Sequence, residues 1–430
     1  MEVLNVKEQQ IVLDIKDKPN LLTWLTLSFQ HLFAMFGSTI LVPYLVDLDP
    51  AVALISSGLG TLAFMLITKG QVPAYLGSSF AFITPIIVAK ASSGVGAALV
   101  GSFLSGLVYG IIALIIKGTG HKWIMKILPP VVVGPVIIVI GLGLAGTAVD
   151  MATLNGEEYS LQYFSVAIIT LLITIIASIF FKGFFNLIPV LIGIAGGYLY
   201  SLAIGIIDFS TVIEAKWLQA PNFILPFVDY TPSINMDIIL LMVPVCVVTI
   251  SEHIGHQLVL GNVVKRDFIK EPGLHRSIMG DGVATMIAAL IGGPPNTTYG
   301  ENIGVLAITR VYSVFILAGA AVLAIVFGFI GKISAFISTI PTPVMGGVSI
   351  LLFGIIASSG LRIMIENKLD LGSKRNLIIS SVILVIGIGE ATIKYGGFDL
   401  HGMALAAIIG IVLNLVLPQK DDETINNEHA

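Results

Sequence analysis

The sequence predicts an all-α polytopic membrane protein with 14 transmembrane segments arranged as a 7+7 inverted repeat. Three observations indicate this fold class. Of the 430 residues, 56% are hydrophobic and only 11% are charged, against about 25% charged in ordinary soluble domains. The apolar residues form long uncharged runs, and Lys and Arg concentrate on alternate connections between them. Two further apolar runs are too short to cross a bilayer as helices, and they occupy corresponding places in the two halves.

The scarcity of charge excludes several classes of protein. A net charge of −4 offers no basic surface to nucleic acid, and the charges are too few for a soluble enzyme or a disordered chain. The single cysteine, Cys246, allows no disulfide within the chain. The polar N-terminal stretch lacks the apolar run of a signal peptide, so we expect no cleavable leader.

Twelve segments are long enough to cross a bilayer as helices, which takes about 20 apolar residues. In order they are 21–46, 51–68, 91–116, 127–149, 163–181, 184–207, 238–261, 277–293, 311–331, 333–361, 376–391 and 401–417. The two short segments, 75–89 and 294–309, are the third and the tenth when all fourteen are counted.

The distribution of Lys and Arg supports this count. With the N terminus in the cytoplasm, fourteen crossings leave 18 Lys and Arg residues on the cytoplasmic side and four outside. This bias agrees with the positive-inside rule, and omitting either short segment would invert the downstream half and spoil it. We therefore expect a multi-pass protein of the cell membrane, embedded in the lipid bilayer, with both termini in the cytoplasm.

The two short segments predict an irregular backbone inside the membrane. A helix of 15 residues spans only about 22 Å, whereas the hydrocarbon core is about 30 Å thick. Each segment crosses if one half is an extended strand and the other half a helix. Because the segments lie seven apart and seven is odd, the repeat that relates them must be inverted. Paired broken helices are a sequence indication of a transporter's binding site.

Ionisable residues inside the predicted spans are few, and each is a candidate functional residue. Glu252 and His256 are four residues apart and therefore share one face of a helix. Glu301 begins the helical half of the tenth segment, where free N–H groups favour an acceptor. The others are His31, His253, Asp281 and Glu390.

Structural roles remain open for these residues. Glu301 could cap its half-helix, and Glu252 could form an ion pair with His256. His31 could be a packing residue, Asp281 could face water at a helix end, and Glu390 could be solvated. A metal site built from His253 and His256 is disfavoured, because metal sites need three or four ligands.

Residues 301–310 carry a recognisable signature. They read Glu-Asn-Ile-Gly-Val-Leu-Ala-Ile-Thr-Arg, which matches the nucleobase–ascorbate transporter motif at every specified position. The stretches 30–37, 77–82 and 251–256 also resemble the first, third and eighth spans of that family. Four motifs in order make the resemblance specific, and it covers essentially the whole chain.

The resemblance implies a core domain and a gate domain. The core is expected over 21–116 and 238–331, which hold spans 1–4 and 8–11. The gate is expected over 127–207 and 333–417, which hold spans 5–7 and 12–14. A homodimer through the gate domain is likewise implied.

The resemblance also implies a substrate. A glutamate that opens the signature is similar to the family's bacterial uracil carriers, whereas xanthine and urate carriers have glutamine there. The implied function is import of uracil by proton symport with alternating access between core and gate, with H⁺ as coupling ion and no cofactor. A purine (xanthine or guanine) permease and a sodium-coupled symporter remain alternatives. An anion transporter of the same fold is less favoured, and an enzyme is not expected.

The implied site residues fall into three sets. The carboxylates of Glu252 and Glu301 bind the pyrimidine N–H groups, and Glu252, His256 and Glu301 couple the proton. Backbone N–H groups around Phe80 and Gly300 meet the ring carbonyls, while His256 and Tyr299 shape the site. The supporting residues are Ser79, Asn302, His31 and Asp281.

Overall fold

The computed structural model of the chain describes residues 11–395, 398–400 and 402–418, and these are mostly helical. The helices are α1 Leu21–Leu45, α2 Pro50–Ile67, α3 Ile83–Thr119, α4 Lys122–Ile127, α5 Pro130–Leu142, α6 Ala145–Thr153, α7 Leu161–Phe180, α8 Pro189–Ala203, α9 Ser210–Glu214, α10 Met236–Met242, α11 Val245–Val264, α12 Leu274–Ile291, α13 Gly300–Thr309, α14 Val314–Gly328, α15 Gly331–Ser338, α16 Thr342–Glu366, α17 Lys374–Ile388 and α18 Gly402–Val416. The strands are β1 Leu76–Ser78, β2 Leu154–Asn155, β3 Glu158–Tyr159, β4 Asn296–Thr298, β5 Ile393–Tyr395 and β6 Phe398–Leu400.

Many of the described helices are apolar enough to cross a membrane. Seven helical stretches are at least 18 residues long with the required hydropathy, and α8, α14 and α18 are shorter apolar helices of 15 residues each. The predicted last segment starts at His401, which lies outside the described residues, as do both chain ends. A polytopic membrane protein, as the sequence predicts, agrees with this pattern.

Several predicted segments are divided into two helices. The segment predicted over 333–361 forms α15 and α16, which are separated at Thr339–Pro341 because proline disfavours a helical conformation in the residue before it. The eighth segment is divided at Pro244 into α10 and α11. Within α3, Gly94 takes φ +82°, a left-handed conformation open to glycine, and this breaks the helix between the third and fourth segments.

The two short segments each contain a strand. β1 and β4 pair in antiparallel register, with Leu76 opposite Thr298 and Ser78 opposite Asn296. Strand β1 is followed by a 3₁₀ turn, Phe80–Phe82, and then by α3, while β4 leads into α13. All residues of both strands are buried. A two-stranded ladder pairs only one edge of each strand. The buried N–H and C=O groups on the other edge therefore need hydrogen-bond partners outside the ladder.

Side chains from α2 and α12 provide those partners. The Leu76 N–H donates to Oγ1 of Thr61 over 2.9 Å, and the Ser57 hydroxyl donates to the Leu76 carbonyl. On the other strand, Thr285 Oγ1 donates to the Asn296 carbonyl over 2.9 Å. The extended backbone is thus held inside the protein, which is the condition for irregular structure at membrane depth.

The helices around the strands position the candidate site. Helix α3 packs on α12, α2 on α12 and α14, and α1 on α14. Elsewhere α5 packs on α16, α7 on α8, and α17 on α18. Helix α11 contacts α13 and also contacts α5 and α18. It therefore lies between α13 and the pair formed by α5 and α18. Gly134 of α5 and Gly360 of α16 face each other closely enough that a side chain on either would meet the other's carbonyl. Small residues of this kind allow close helix packing in membranes.

Candidate functional site

A cavity of about 290 Å³ lies where the two broken segments meet α11 and α16. Its wall contains Phe80, Glu252, His256, Val259, Thr297, Tyr299, Gly300, Glu301, Ile303, Gly304, Ile355, Ile356, Ser358, Ser359, Arg362 and Ile363. All six residues for which the sequence predicts direct substrate contact are in this wall. The contribution of α16 runs from Ile355 to Ile363 and includes Arg362, whose side chain is 52% exposed, so the cavity leads to the surface along the C-terminal half of that helix.

Two carboxylates from different elements enter this cavity. Glu252 lies in α11 and is 7% exposed, and its Oε2 has no hydrogen-bond partner among the described residues. Glu301 lies in the first turn of α13, where its Oε1 accepts from the Ser38 hydroxyl over 2.8 Å. A buried acceptor without a partner is costly unless a ligand or water reaches it. Glu252 therefore presents an oxygen that is available to a hydrogen-bond donor in the cavity.

His256 is held by the strand that precedes α13. Its Nδ1 lies 2.9 Å from the Thr298 carbonyl, and because a carbonyl can only accept, Nδ1 carries the proton in this contact. The other ring nitrogen, Nε2, lies on the side of Gly300. No hydrogen bond or ion pair joins His256 to Glu252, although both are within the described part of the chain. The possible ion pair between them is therefore not formed.

The buried histidine–aspartate contact of this region involves different residues. His253 Nδ1 lies 2.9 Å from Asp281 Oδ2 and 3.2 Å from Thr298 Oγ1. His253 is fully buried and Asp281 is 1% exposed, so Asp281 does not face water at a helix end. This contact joins α11, α12 and β4 directly behind the cavity wall.

Aromatic rings lie in and beside the cavity wall. Phe80 packs edge-to-face on Phe353 of α16, with ring centroids 5.9 Å apart, and both rings are buried. Tyr299 lies in the cavity wall, and its hydroxyl donates to the Ser78 carbonyl over 3.3 Å. Gly77 permits this arrangement, since a side chain there would overlap the Tyr299 ring.

The four residues predicted to support the site lie outside the cavity wall. Ser79 is buried and its N–H donates to the Pro295 carbonyl over 2.8 Å, which adds a contact between the two broken segments. Asn302 Nδ2 donates to the Pro73 carbonyl over 3.1 Å. His31 is 2% exposed, and its Nδ1 has no partner among the described residues. Asp281 pairs with His253 as described.

Some residues in or next to the wall carry little signal in the sequence. Ser38, the donor to Glu301, is a small residue within an apolar helix, and so are Ser358 and Ser359 of α16. Thr297 lies in the strand half of the tenth segment and its hydroxyl is without a partner among the described residues. The pairing of His253 with Asp281 could have been expected, because ionisable residues within membrane spans usually pair with one another.

The groups in the cavity wall are suited to hydrogen bonding rather than to metal coordination. The described residues contain no group of three or more His, Cys, Asp and Glu that could hold a metal ion. The wall combines two carboxylates and an imidazole with apolar side chains, and the first turn of α13 offers backbone N–H groups that have no partner within the helix. Such a site suits a small neutral molecule that has both donors and acceptors.

The fold resembles solved structures of anion transporters. The murine solute carrier 26 family member A9 anion transporter, in its inward-facing state, matches 93% of this chain and 68% of its own with a TM-score of 0.69 at 10% identity. The transmembrane domain of a cyanobacterial bicarbonate transporter, BicA, matches 93% of this chain and 99% of its own with a TM-score of 0.62 at 13% identity. At these identities the likeness concerns the fold alone.

The sequence comparisons are far more specific. A Permease family model matches residues 22–395. The uracil permease of Bacillus caldolyticus is 67% identical over 418 residues, which are 96% of each chain. The uracil permease of Escherichia coli K12 is 45% identical over 405 residues, 94% of this chain and 93% of its own. The chain therefore belongs to this permease family, the nucleobase–ascorbate transporters, which are membrane transport proteins rather than enzymes.

Proposed function

We propose that this protein imports uracil across the cell membrane by symport with protons, and that the cavity between Glu252 and Glu301 is the binding site. The observation that carries the proposal is that two carboxylates, the buried one of Glu252 and the half-buried one of Glu301, meet the first turn of α13 at one cavity. The names of the relatives, uracil permeases at up to 67% identity, support the same substrate.

The cavity has the groups that a uracil ring requires. Uracil has two N–H donors and two carbonyl acceptors. Glu252 and Glu301 accept from the N–H groups, while the backbone N–H groups at Phe80 and Gly300 donate to the carbonyls. Tyr299 and His256 close the sides of the site. A pocket built to satisfy each of these groups rejects analogues that leave one of them unpaired.

The cavity volume favours a single-ring base over a purine. At about 290 Å³ it lies at the lower end of the ~300–1,000 Å³ typical of small-molecule pockets. A xanthine or guanine carrier would need more room for the second ring. Two carboxylates in the wall also disfavour an inorganic anion, although the fold is shared with anion transporters.

Uphill transport of a neutral base requires a coupled ion. Uracil is uncharged near pH 7, so the membrane potential alone cannot concentrate it. Glu252 has the free oxygen and Glu301 is already bonded to Ser38, so we assign the transported proton to the region of Glu252 and His256. Protonation there organises the site for uracil, and the empty carrier returns after the proton has left.

The membrane arrangement belongs to the same proposal. Fourteen segments cross the bilayer as two inverted sets of seven, each third segment being half strand and half helix, with both termini in the cytoplasm. The core domain, 21–116 and 238–331, moves against the gate domain, 127–207 and 333–417, to give alternating access. A homodimer forms through the gate domain, and chemical cross-linking of the protein in native membranes tests that state.

Gly300 provides a selective test of the site. An alanine methyl group there would lie 2.9 Å from His256 Nε2, so the imidazole has to shift into the cavity or lose the Thr298 carbonyl. Because overpacking of this kind costs about 1–3 kcal/mol, we expect Gly300→Ala to weaken uracil binding roughly 10-fold or more. Titration of the purified protein with labelled uracil measures the change.

Gly304 is the matched control for that substitution. It lines the same cavity one turn further along α13, but a methyl group on it would meet nothing within 4 Å. Gly304→Ala should therefore bind uracil within about twofold of the parent protein. Equal losses for the two variants would contradict the placement of uracil against Gly300.

Reconstituted transport tests the function as a whole. With an inward proton gradient and no sodium, we expect liposomes containing the protein to accumulate labelled uracil above its external concentration. A protonophore should abolish the accumulation. Uptake of xanthine instead, or a requirement for sodium, would contradict the substrate or the coupling ion respectively.

A further inference from the structure

A second cavity, of about 100 Å³, lies next to the first, since the neighbouring residues Phe80 and Ala81 line one cavity each. One side of it consists of residues from the start of α3 and from α10 and α11, including Thr84 and Val245. The opposite side consists of the ends of α5 and α17 and the start of α18, including Glu390 and Met403. This second cavity is not part of the uracil site described above, and neither its carboxylate nor its hydroxyl groups have a role there.

The two cavities are consecutive along the same helices. Val245, the first residue of α11, lines the second cavity, and Glu252 lines the first. Seven residues of helix separate them, which is roughly 10 Å at 1.5 Å per residue. On the broken third segment the change is sharper, because Phe80 lines the first cavity and its neighbour Ala81 lines the second.

The Phe80–Phe353 contact lies at the point on the third segment where the lining changes from the first cavity to the second. The two rings meet edge-to-face at 5.9 Å, and they are 3% and 2% exposed. Phe353 belongs to α16, whose next two turns, from Ile355 to Ile363, line the first cavity only. The contact therefore joins the broken segment to α16 at the level where the first cavity ends.

We propose that the second cavity is the outer vestibule of the substrate path, and that Phe80 and Phe353 form the gate between this vestibule and the central cavity. The vestibule admits the same class of ligand, a neutral planar nucleobase, to which Glu390 and Thr84 offer an acceptor and a hydroxyl. The identity of the ligand rests on the proposed function, and the outer position of the cavity rests on the proposed membrane orientation.

The geometry suits a gate that opens by separation of two surfaces. The third segment and α11 contribute one wall to both cavities, and the opposite wall is α16 in the first cavity and the ends of α5 and α17 with the start of α18 in the second. Phe80 belongs to the shared wall and Phe353 to α16. If α16 moves away from the 3₁₀ turn that holds Phe80, the rings part and the two cavities become one path. In the structure described here the rings are in contact, and the central cavity leads instead toward Arg362.

Cysteine accessibility tests the gate directly, because the chain has a single cysteine. Cys246 is buried, and Cys246→Ser provides a background without thiols. Met403→Cys then reports the vestibule and Ile356→Cys the central cavity. A membrane-impermeant maleimide is applied outside to intact cells, and the extent of labelling is followed with time.

We expect Met403→Cys to react readily from outside and Ile356→Cys to react slowly. Adding Phe353→Ala should raise the outside labelling rate of Ile356→Cys at least tenfold, with Phe353→Leu intermediate. Phe336→Ala is the matched control, since Phe336 packs on Tyr198 at 4.5 Å and lines neither cavity. It should leave the rate unchanged.

Two results would overturn the proposal. No reaction of Met403→Cys from outside, while a cysteine on an exposed outer loop reacts, would show that the second cavity is not an outer vestibule. If both Phe353 variants fold and leave the outside labelling rate of Ile356→Cys unchanged, the two rings do not form the gate. Neither measurement requires uracil, so a failure of the proposed substrate is detected separately, as an absence of uracil protection at Ile356→Cys.

Discussion

Substituting either cavity carboxylate is expected to have the largest effect on substrate binding. Glu252→Ala and Glu301→Ala each remove a hydrogen-bond acceptor from the cavity, and leaving a buried donor without its partner costs about 1–3 kcal/mol. Each variant should therefore bind uracil roughly 10- to 100-fold more weakly. The loss should be greater if the abandoned uracil N–H finds no water in its place.

The glutamine variants separate binding from coupling. Gln keeps a carbonyl oxygen that can accept a hydrogen bond, but it cannot take up a transported proton. Glu252→Gln should retain part of the uracil binding and allow exchange of labelled for unlabelled uracil. It should fail to concentrate uracil under a proton gradient, because the assigned proton carrier is missing.

Equilibrium binding and transport in liposomes measure both effects on the same preparations. Glu214→Gln is a suitable control, since Glu214 is an exposed residue of α9 away from the cavity. It should leave binding and uptake unchanged. Concentrative uptake by Glu252→Gln with the parent's pH dependence would show that this residue is not the coupling group.

Much of the site could be predicted because its residues are rare in their surroundings. A glutamate or histidine within an apolar run is conspicuous, and the six residues assigned to substrate contact by resemblance all lie in one cavity wall. The short third and tenth segments were conspicuous for a similar reason, since 15 residues are too few for a helix across the bilayer. Strands β1 and β4 lie within them and pair with each other.

The remainder of the site depends on tertiary packing that a single sequence does not encode locally. Ser38 reaches Glu301 across 263 positions of chain, and nothing in the apolar run around Ser38 distinguishes it from a packing residue. Ile355 and Ser359 of α16 line the cavity because of the way that helix is rotated against α5. Its low hydrophobic asymmetry gives no periodic pattern from which the inward face can be read.

The contacts of the buried ionisable residues also could not be predicted from sequence spacing, even for residues four positions apart. Glu252 and His256, four residues apart on one helix, suggest an ion pair by spacing alone. The structure instead pairs His253 with Asp281 and turns His256 toward the Thr298 carbonyl. Strand β4 decides this, because its Thr298 offers a hydroxyl to one histidine and a carbonyl to the other.

The second large effect is expected on stability, from the pair behind the cavity. His253→Ala would leave Asp281 as an unpaired carboxylate at 1% exposure, and breaking a buried pair from one side typically costs about 3–5 kcal/mol. The contact also links α11, α12 and β4, so its loss should loosen the strand that positions His256. We expect the free energy of unfolding in detergent to fall by about that amount.

His256→Ala makes the comparison decisive. This histidine bonds a neutral carbonyl, so its removal should cost about 1 kcal/mol of stability while it weakens uracil binding more strongly. The double variant with His253→Ala and Asp281→Ala should recover part of the stability lost in His253→Ala, because the unpaired charge is then absent. Additive losses in the double variant would mean that the two residues stabilise the protein independently, and equal losses for the two histidines would mean that the buried charge is not the cause.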